Sequence, residues 1–239
     1  MKAPPFPSSL KDSLQMLYSF SFGAERTYVH PAEHSFINND LIERSIATLA
    51  HELQGELIDV GCASQPYNLY FKHVEKKVNC DFDGGRGNVD FECSADCIPV
   101  EAESFDSVLC TEVLEHTPKP DRVWQEFWRI LRPGGKVLLS TPMYWPAHEL
   151  PYDFYRYPEH GLRYLAEQNG FEVLALCPRG GVYAFIGQTI IMGIDHYFAF
   201  KWQRTLWNRF FLKMDKARLN PKMTLGWTIL ARKVEKRAL

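Results

Sequence analysis

The sequence predicts an α/β fold built on a parallel sheet, and two observations carry this prediction. Apolar runs of strand length alternate with amphipathic stretches of helical spacing, which is typical of parallel sheets with crossover helices. The run at 56–60 leads into a glycine turn at Gly61, and a second run at 77–80 ends in Asp81, twenty positions later. A βαβ unit needs this spacing to bring a carboxylate to a ribose, so both strands should border one nucleotide-type pocket.

The individual helices and strands follow from apolar spacing and turn residues. A helix begins behind the N-cap residues 38–40, because apolar residues recur at helical spacing as far as Leu53. A second helix begins near Asp121 and ends at the turn 132–135. The other predicted elements are helices near 66–75 and 159–168 and strands near 77–81, 89–92, 107–110, 136–140, 171–176 and 225–231. We therefore predict an N-terminal extension at 1–37 and one α/β domain at 38–239.

Composition and charge are those of an ordinary globular protein. The 239 residues are 46% hydrophobic and 23% charged, and the net charge of -2 gives no global reason to expect nucleic acid. The six cysteines lie mostly in or beside apolar runs, where a free thiol acts as a small hydrophobe. Cys93 and Cys97 lack the further ligands of a four-ligand site, so we expect no metal. No apolar run follows Met1, which argues for the cytoplasm.

The segment 182–220 is far longer than an ordinary connection between strands. It is aromatic and mostly helical in pattern, and its apolar first part is too short and too often interrupted by polar residues for a comfortable membrane span. Its second part carries one acid, Asp215, and seven basic residues: Lys201, Arg204, Arg209, Lys213, Lys216, Arg218 and Lys222. This pattern fits a lid or packing element, a surface for membrane or lipid-linked substrate, or a dimer contact.

Five short motifs follow one another between residues 57 and 135. They are Leu57-Ile58-Asp59-Val60-Gly61-Cys62-Ala63, Asp81, Ile98-Pro99-Val100 before Ser104-Phe105-Asp106-Ser107-Val108, Glu112-Val113-Leu114-Glu115-His116, and Ile130-Leu131-Arg132-Pro133-Gly134-Gly135. In this order and at this spacing the chain resembles the class I S-adenosylmethionine-dependent methyltransferases. The resemblance is to type 11-like members, the broad group that includes many small-molecule and glycan-cluster methyltransferases.

This resemblance implies a Rossmann-like, seven-stranded and mostly parallel sheet with an antiparallel last strand, and a helical insertion before that strand. It also implies S-adenosyl-L-methionine as the cofactor, bound over the carboxyl ends of the first strands. By carry-over from the family, the cofactor-binding residues are Asp59, Gly61, Cys62 and Ala63 on the methionine side, Asp81 at the ribose hydroxyls and Asp96 on the adenine side. Small residues let the backbone approach a ligand closely, and a carboxylate accepts two hydroxyl hydrogen bonds.

The chain departs from the family pattern in its glycine turn. Ala63 stands where a second glycine is usual, and Gln65 stands where a third is frequent. Alanine is the smallest change, so we expect the turn to keep its form. The loss argues more strongly against a nicotinamide-dependent oxidoreductase, because a pyrophosphate-binding turn needs all three glycines for close approach.

Glu112 and His116 follow the fourth predicted strand at the ligand-bearing edge of the sheet. Glu112 is assigned to the cofactor site through the resemblance. His116 is a candidate general base, since a histidine titrates near neutral pH. The alternative is a structural role, in which His116 packs a turn beside Pro118.

The loop after the fifth strand contains a dense run of reactive residues, His148-Glu149-Leu150-Pro151-Tyr152-Asp153-Phe154-Tyr155-Arg156. In the related fold this loop faces the transferred methyl group, and similar runs occur in related methyltransferases. His148 and Asp153 are candidate bases, and Arg156 suits an anionic acceptor group. Tyr152 and Tyr155 are candidate acceptor contacts. The alternative is that both tyrosines and Arg156 anchor the loop to the sheet edge.

Together these observations predict a cytoplasmic methyltransferase that methylates an oxygen, or less readily a nitrogen, of a small molecule or glycan. A base would remove the acceptor proton while the acceptor, the methyl group and sulfur are aligned. The segment 182–220 is a candidate for peripheral contact with the membrane or with a lipid-linked substrate. Two alternatives stay open, a nicotinamide-dependent oxidoreductase and a non-catalytic protein that binds cofactor or membrane.

Overall fold

A computed structural model describes residues 9–20, 30–194 and 200–234 of the chain. The strands are β1 (Glu56–Val60), β2 (Lys76–Asp81), β3 (Phe91–Glu92), β4 (Phe105–Thr111), β5 (Leu131–Pro142), β6 (Phe171–Pro178) and β7 (Gly226–Lys233). The helices are α1 (Leu10–Ser19), α2 (Phe36–Leu49), α3 (Pro120–Ile130), α4 (Glu159–Gln168), α5 (Val182–Gly193) and α6 (Lys201–Ala217). The predicted alternation of strands and helices is confirmed.

The seven strands form one sheet in the order β3-β2-β1-β4-β5-β7-β6. β1 pairs in parallel with both β2 and β4, and β4 pairs in parallel with β5. β7 runs antiparallel between β5 and β6. The predicted Rossmann-like sheet with its antiparallel last strand is therefore confirmed. The strand order reverses between β1 and β4, so the carboxyl ends of β1, β2, β4 and β5 open onto the crevice where such sheets bind ligands.

The two faces of the sheet are covered by different helices, as the alternation of buried side chains along the strands requires. On one face Ile58 and Val108 pack with Trp124 of α3 and Leu162 of α4. Leu57 and Leu138 point to the other face and pack with residues of α1 and α2, among them Leu17, Ile42 and Ile46. A third cluster joins α1 and α2 to α5 and α6. The long insertion is thus packed beside the sheet.

The predicted helical character of the insertion is confirmed, since its described residues form α5 and α6, and Asp215 of α6 fixes the start of α5. Its carboxylate accepts hydrogen bonds from the backbone N–H groups of Gly181, Tyr183 and Ala184 at 2.8 to 3.1 Å. The hydroxyl of Tyr18, on α1, donates a fourth hydrogen bond at 2.6 Å. Because a helix N-terminus has unpaired N–H groups and a positive dipole end, this buried carboxylate stabilises α5 and joins three helices.

Several predicted element boundaries were wrong. Residues 38–40 do not cap a helix, because α2 begins at Phe36 behind the N-cap Ser35 and includes them. The segment 66–75 forms a short 3-10 helix at Asn68–Phe71, because Gln65 has a left-handed backbone (φ 56) and the following hydrogen bonds join residues three apart. The turn at 132–135 does not separate α3 from β5, since β5 already begins at Leu131, which pairs with Phe105 of β4.

The division at residue 37 stays a prediction. Residues 1–8 and 21–29 of the extension lie outside the described part, whereas α1 within it packs against β6 and α2. All six cysteines are free, and four of them are buried as core residues.

Candidate active site

The turn after β1 forms the floor of the candidate cofactor site. The N–H groups of Gly61 and Cys62 donate to the carbonyl of Cys80 on β2 at 2.8 and 3.1 Å. Gly61 has φ +71, and a Cβ atom there would lie 2.1 Å from Val113 Cγ2, so only glycine fits. Ala63 also adopts a left-handed backbone (φ 41). The turn therefore keeps the conformation that favours glycine even though the second family glycine is missing.

Asp81 lies at the carboxyl end of β2 with its carboxylate turned toward this turn. One oxygen accepts the Ala63 N–H at 2.8 Å, and the other accepts the Asp83 N–H at 3.0 Å. Each carboxylate oxygen has a second acceptor position, so two ribose hydroxyls can still be bound. The chemistry and the half-buried position of Asp81 fit a ribose.

Asp59 supports the turn from inside the sheet. Its carboxylate is buried and forms a 2.8 Å ion pair with Lys77 of β2. Burial raises the pKa of Asp59, and the Lys77 ammonium opposes that shift. Since the charge is already paired with Lys77, near the start of β2, Asp59 contributes mainly by holding β1 and β2 together.

Asp96 lies in the loop that follows β3, the strand next to β2. The Ser94 hydroxyl donates to its carboxylate at 2.6 Å. The loop is fixed to α3 because the Ile98 N–H donates to Glu126 at 2.7 Å. Asp96 thus lies on the side of Asp81 toward the edge strand β3. The resemblance places the adenine on this side. The contact of Asp96 with the cofactor stays a prediction.

Glu112, at the end of β4, is held by two neighbouring strand ends. Its Oε1 accepts the Ser140 hydroxyl at 2.7 Å and Arg179 Nη1 at 2.8 Å. Arg179 is fully buried directly after β6 and lies against Gly226, where a Cβ atom would be 1.8 Å from Nη2. Arg179 was not predicted as a site residue. The one feature of the sequence that could have indicated it is its position as a single basic residue between an apolar strand and Gly180-Gly181.

His116 and His148 are brought together by the fold although they lie far apart in sequence. Their rings meet edge to face at a centroid distance of 4.6 Å. His116 Nδ1 lies 2.7 Å from the Tyr152 carbonyl and His148 Nδ1 lies 3.2 Å from the Pro146 carbonyl. A carbonyl only accepts, so each Nδ1 is assigned the proton and each Nε2 keeps its lone pair. Burial and the neighbouring His116 lower the pKa of His148.

Glu115 lies close to the histidine pair. It was not predicted from the sequence as a site residue. The side chain is fully buried, Thr141 donates to Oε2 at 3.3 Å, and Oε1 has no hydrogen-bond partner. Burial and then the nearby Glu112 raise the pKa of Glu115 well above its ordinary value. Glu115, His116 and His148 each offer a ligand atom within 4.8 Å of the others. A divalent cation could bind there, although the sequence analysis expected none.

Arg156 and Asp153 fasten the acceptor loop to itself. The guanidinium makes two hydrogen bonds to Asp153, at 2.6 and 2.9 Å, and others to the carbonyls of Trp145, Pro146 and Tyr155. Arg156 holds the pKa of Asp153 well below its usual range. This geometry matches the loop-anchor alternative, because the donors of Arg156 are already used and Asp153 is a weak base.

Tyr152 and Tyr155 are both exposed on this loop. The Tyr155 hydroxyl donates to the Pro118 carbonyl at 3.2 Å. The Tyr152 ring lies 6.3 Å from the ring of Phe82, which follows Asp81. The acceptor loop is therefore next to the cofactor turn, and its exposed tyrosines stay candidate acceptor contacts.

Comparison with known proteins agrees with this geometry. Residues 58–139, from β1 to β5, match the family described as "Methyltransferase domain". A "Ubiquinone biosynthesis O-methyltransferase" of Coxiella burnetii is 34% identical over 55 residues, which are 23% of this chain and 24% of that protein. The chain thus matches only about a quarter of the length of that relative.

Two solved structures share the fold. The [4+2]-cyclase SpnF aligns with a TM-score of 0.56 and 17% identity over 97% of this chain and 98% of its own. A phosphoethanolamine N-methyltransferase of Haemonchus contortus, solved with S-adenosyl-L-methionine, aligns with a TM-score of 0.51 and 15% identity over 77% of this chain and 49% of its own. At these identities the similarity concerns the fold.

Proposed function

Because this chain belongs to the class I S-adenosylmethionine-dependent methyltransferases, we propose that it methylates an oxygen atom of a small-molecule or glycan-type acceptor. S-adenosyl-L-methionine is the cofactor of this family. One observation carries the proposal, namely that His116 and His148 meet in the segments that follow β4 and β5, with both Nδ1 atoms facing carbonyls and both Nε2 atoms keeping their lone pairs. The name of the Coxiella relative, an O-methyltransferase, supports oxygen over nitrogen.

The turn after β1 and Asp81 have the chemistry to hold the cofactor. Asp81 would accept the ribose hydroxyls, and the small turn at 61–63 would let the methionine part approach the backbone. When bound, the cofactor would supply an activated methyl group for transfer to the acceptor oxygen, with S-adenosylhomocysteine as the leaving group. The protein contributes the alignment of acceptor and cofactor.

His148 is the better candidate for the base that takes the acceptor proton. It lies on the acceptor loop, and the backbone N–H of His148 is tied to Asp153, which fixes the position of the loop. Its lowered pKa keeps the ring neutral near pH 7, as a base requires. His116 holds the loop through the Tyr152 carbonyl and lies against His148, so we assign it a positioning role.

A non-catalytic cofactor-binding protein is the second candidate. The [4+2]-cyclase SpnF has the same fold, which illustrates that this fold alone does not decide the chemistry. The oxidoreductase alternative is less favoured, because Ala63 and Gln65 replace two of the three glycines of a pyrophosphate-binding turn.

Calorimetry on Asp81→Ala tests the cofactor site. Removing a carboxylate that accepts two hydroxyls should weaken S-adenosylmethionine binding by about 2 kcal/mol or more. Glu101→Ala, an exposed acid away from the site, is the matched control and should bind normally. Unchanged affinity in a folded Asp81→Ala protein would move the ribose site elsewhere.

Release of S-adenosylhomocysteine tests the activity. Wild-type protein would be incubated with cofactor and a panel of phenols, sugar alcohols, lipid-linked glycans and amines, and the product measured by mass spectrometry. We expect release with a hydroxyl acceptor. Release only with amines would overturn the assignment to oxygen, and binding without release from any acceptor would favour the non-catalytic candidate.

A further inference from the structure

The helices α5 and α6 expose large apolar side chains at every fourth residue. Ile186 and Ile190 lie on α5 and Ile194 directly follows its last residue, whereas Trp202, Leu206 and Phe210 lie on α6. Trp202 is 63% exposed and Leu206 is 61% exposed. The opposite sides of both helices are buried, with Ala184 and Ile191 of α5 packed against the same cluster as Phe211 of α6. We call the six exposed residues the α5–α6 apolar face. Soluble monomers rarely expose so many large apolar side chains on adjacent elements.

The exposed side of α6 is cationic as well as apolar. Lys201, Arg209, Lys213 and Lys216 are exposed, and the single acid of the helix, Asp215, is buried under α5. At helical spacing Arg209 and Lys213 lie directly beside Leu206 and Phe210. A helix whose outer side combines bulky aromatic residues with basic ones, and carries no exposed acid, has the composition of helices that lie in a lipid–water interface.

The apolar face lies next to the candidate acceptor site. α5 starts three residues after Arg179, whose guanidinium binds Glu112. The ring of Phe185 lies 4.6 Å from Tyr144, which begins the acceptor loop after β5. A ligand or surface that binds to α5 and α6 would therefore lie next to the loop that carries His148. Among the described residues no helix is both long and apolar enough to cross a membrane, so any contact of α5 and α6 would be with its surface.

We propose that the α5–α6 apolar face docks on an anionic lipid surface, with the aromatic side chains in the interface and the basic side chains on the lipid headgroups. Charge selects this occupant over a second copy of the chain, because a symmetric contact would bring the basic side chains of two α6 helices into one interface with no exposed acid on either helix to pair with them. If the proposed function holds, docking brings a lipid-borne acceptor, such as a lipid-linked glycan, to the loop after β5. That second step rests on the proposed function, and the docking itself does not.

Vesicle sedimentation tests the docking. The full chain should sediment with phosphatidylcholine vesicles that contain phosphatidylglycerol, far less with pure phosphatidylcholine, and should be released as salt screens the basic side chains. A triple variant, Lys201→Gln, Arg209→Gln and Lys213→Gln, should lower the partition coefficient at least about tenfold. The charge-matched control changes the exposed Lys72, Lys119 and Arg122 to Gln and should bind as the wild type does.

A second variant separates the apolar from the electrostatic contribution. Trp202→Ser with Phe210→Ser should also reduce vesicle binding, because the apolar insertion is lost while the charge is unchanged. Absence of binding by the wild type at any ionic strength, or equal binding by both variants and the control, would overturn the proposal. So would a dimer in analytical ultracentrifugation that these substitutions dissociate. Vesicle binding without S-adenosylhomocysteine release would leave the docking intact and count against the proposed function alone.

Discussion

At the scale of single residues, the candidate site separates side chains that are free to react from side chains that are already engaged. The histidine pair keeps two Nε2 positions open, because both Nδ1 atoms face backbone carbonyls. Asp153, by contrast, accepts hydrogen bonds from Arg156 and from the His148 backbone. The reactive-looking run in the acceptor loop therefore divides into one candidate base and the residues that hold it in place.

Replacing His148 by Gln should remove the catalytic base. We expect kcat to fall by about 10²- to 10⁴-fold, the range for loss of a general base, with unchanged cofactor affinity. In the wild type, kcat/KM should rise with pH through a midpoint below that of an ordinary histidine, since burial and His116 lower the pKa of His148 and the base acts when neutral. In a pH–rate profile, the His148→Gln variant should lack this rise of kcat/KM with pH.

The exposed His160→Gln, on α4, is the control and should keep both the rate and the profile. Activity should also survive a chelator. A loss that a divalent cation restores would instead assign Glu115, His116 and His148 to a metal site and contradict the base role.

Arg156→Ala should loosen the acceptor loop. The guanidinium carries charged hydrogen bonds to Asp153 and hydrogen bonds to three carbonyls, so we expect a loss of about 2 kcal/mol in the free energy of unfolding. Thermal unfolding should show a lower Tm, and Arg156→Lys should rescue little because an ammonium cannot make the two parallel bonds. Arg163→Ala, which changes a half-buried arginine on α4, is the control. Unchanged stability with lost turnover would restore Arg156 to acceptor binding.

At the scale of helices and strands, two buried charges whose roles were not predicted from the sequence decide how the insertion is attached. Asp215 joins α1, α5 and α6, and Arg179 joins the ends of β4 and β6 through Glu112. Both belong to connections outside the five family motifs. Apolar periodicity predicted the helices themselves, but it carries no information about a polar side chain whose partners lie more than thirty residues away.

Asp215→Ala should destabilise the protein strongly. The substitution leaves three buried N–H groups and the Tyr18 hydroxyl without an acceptor, so we expect a loss of about 3 kcal/mol or more in chemical denaturation. Tyr18→Phe removes only one of the four hydrogen bonds and should cost about 1 kcal/mol. Equal effects of the two substitutions would mean that the cap on α5 contributes little.

Gly226→Ala should disrupt the junction of β6 and β7. The added methyl group would lie 1.8 Å from Arg179 Nη2, so the guanidinium must move and its ion pair with Glu112 breaks. We expect several kcal/mol of destabilisation, as for other overpacked or unpaired buried sites. Gly193→Ala is the matched control, because nothing lies within 4 Å of its Cβ position. A Gly226→Ala protein as stable as Gly193→Ala would show that Arg179 can relocate freely.

The sheet could be predicted from the sequence more fully than the site. Strands β1, β4 and β5 are near-continuous apolar runs, since parallel strands are buried on both faces. The helix predicted at 66–75 was wrong. Tyr67 and Phe71 are buried at a helical spacing, but the segment makes only short turns. In the site, the meeting of His116 with His148 depends on where a sixteen-residue loop folds back, which local spacing does not determine.

At the scale of the whole molecule, the candidate site residues lie at one edge of the sheet, near the point where the strand order reverses and near the insertion. The cofactor turn, Glu112, the histidine pair and the start of α5 all follow carboxyl ends of strands. If the proposals hold, cofactor, acceptor and lipid surface would approach from one side. Cofactor binding should therefore stabilise the whole domain, because it cross-links the ends of β1 and β2 around which the sheet is built.

A thermal shift measurement tests this coupling and the family's cofactor together. A ligand that binds only the folded chain, at a hundredfold excess over its Kd, stabilises by about 2.7 kcal/mol. For a chain of this length each kcal/mol raises Tm by roughly 2–4 °C, so S-adenosylhomocysteine should raise Tm by roughly 5–11 °C. Asp81→Ala should show a smaller rise at the same ligand concentration, and NADH should produce none, because Ala63 and Gln65 leave the turn without a pyrophosphate cradle. A rise with NADH and none with S-adenosylhomocysteine would place the chain among the oxidoreductases.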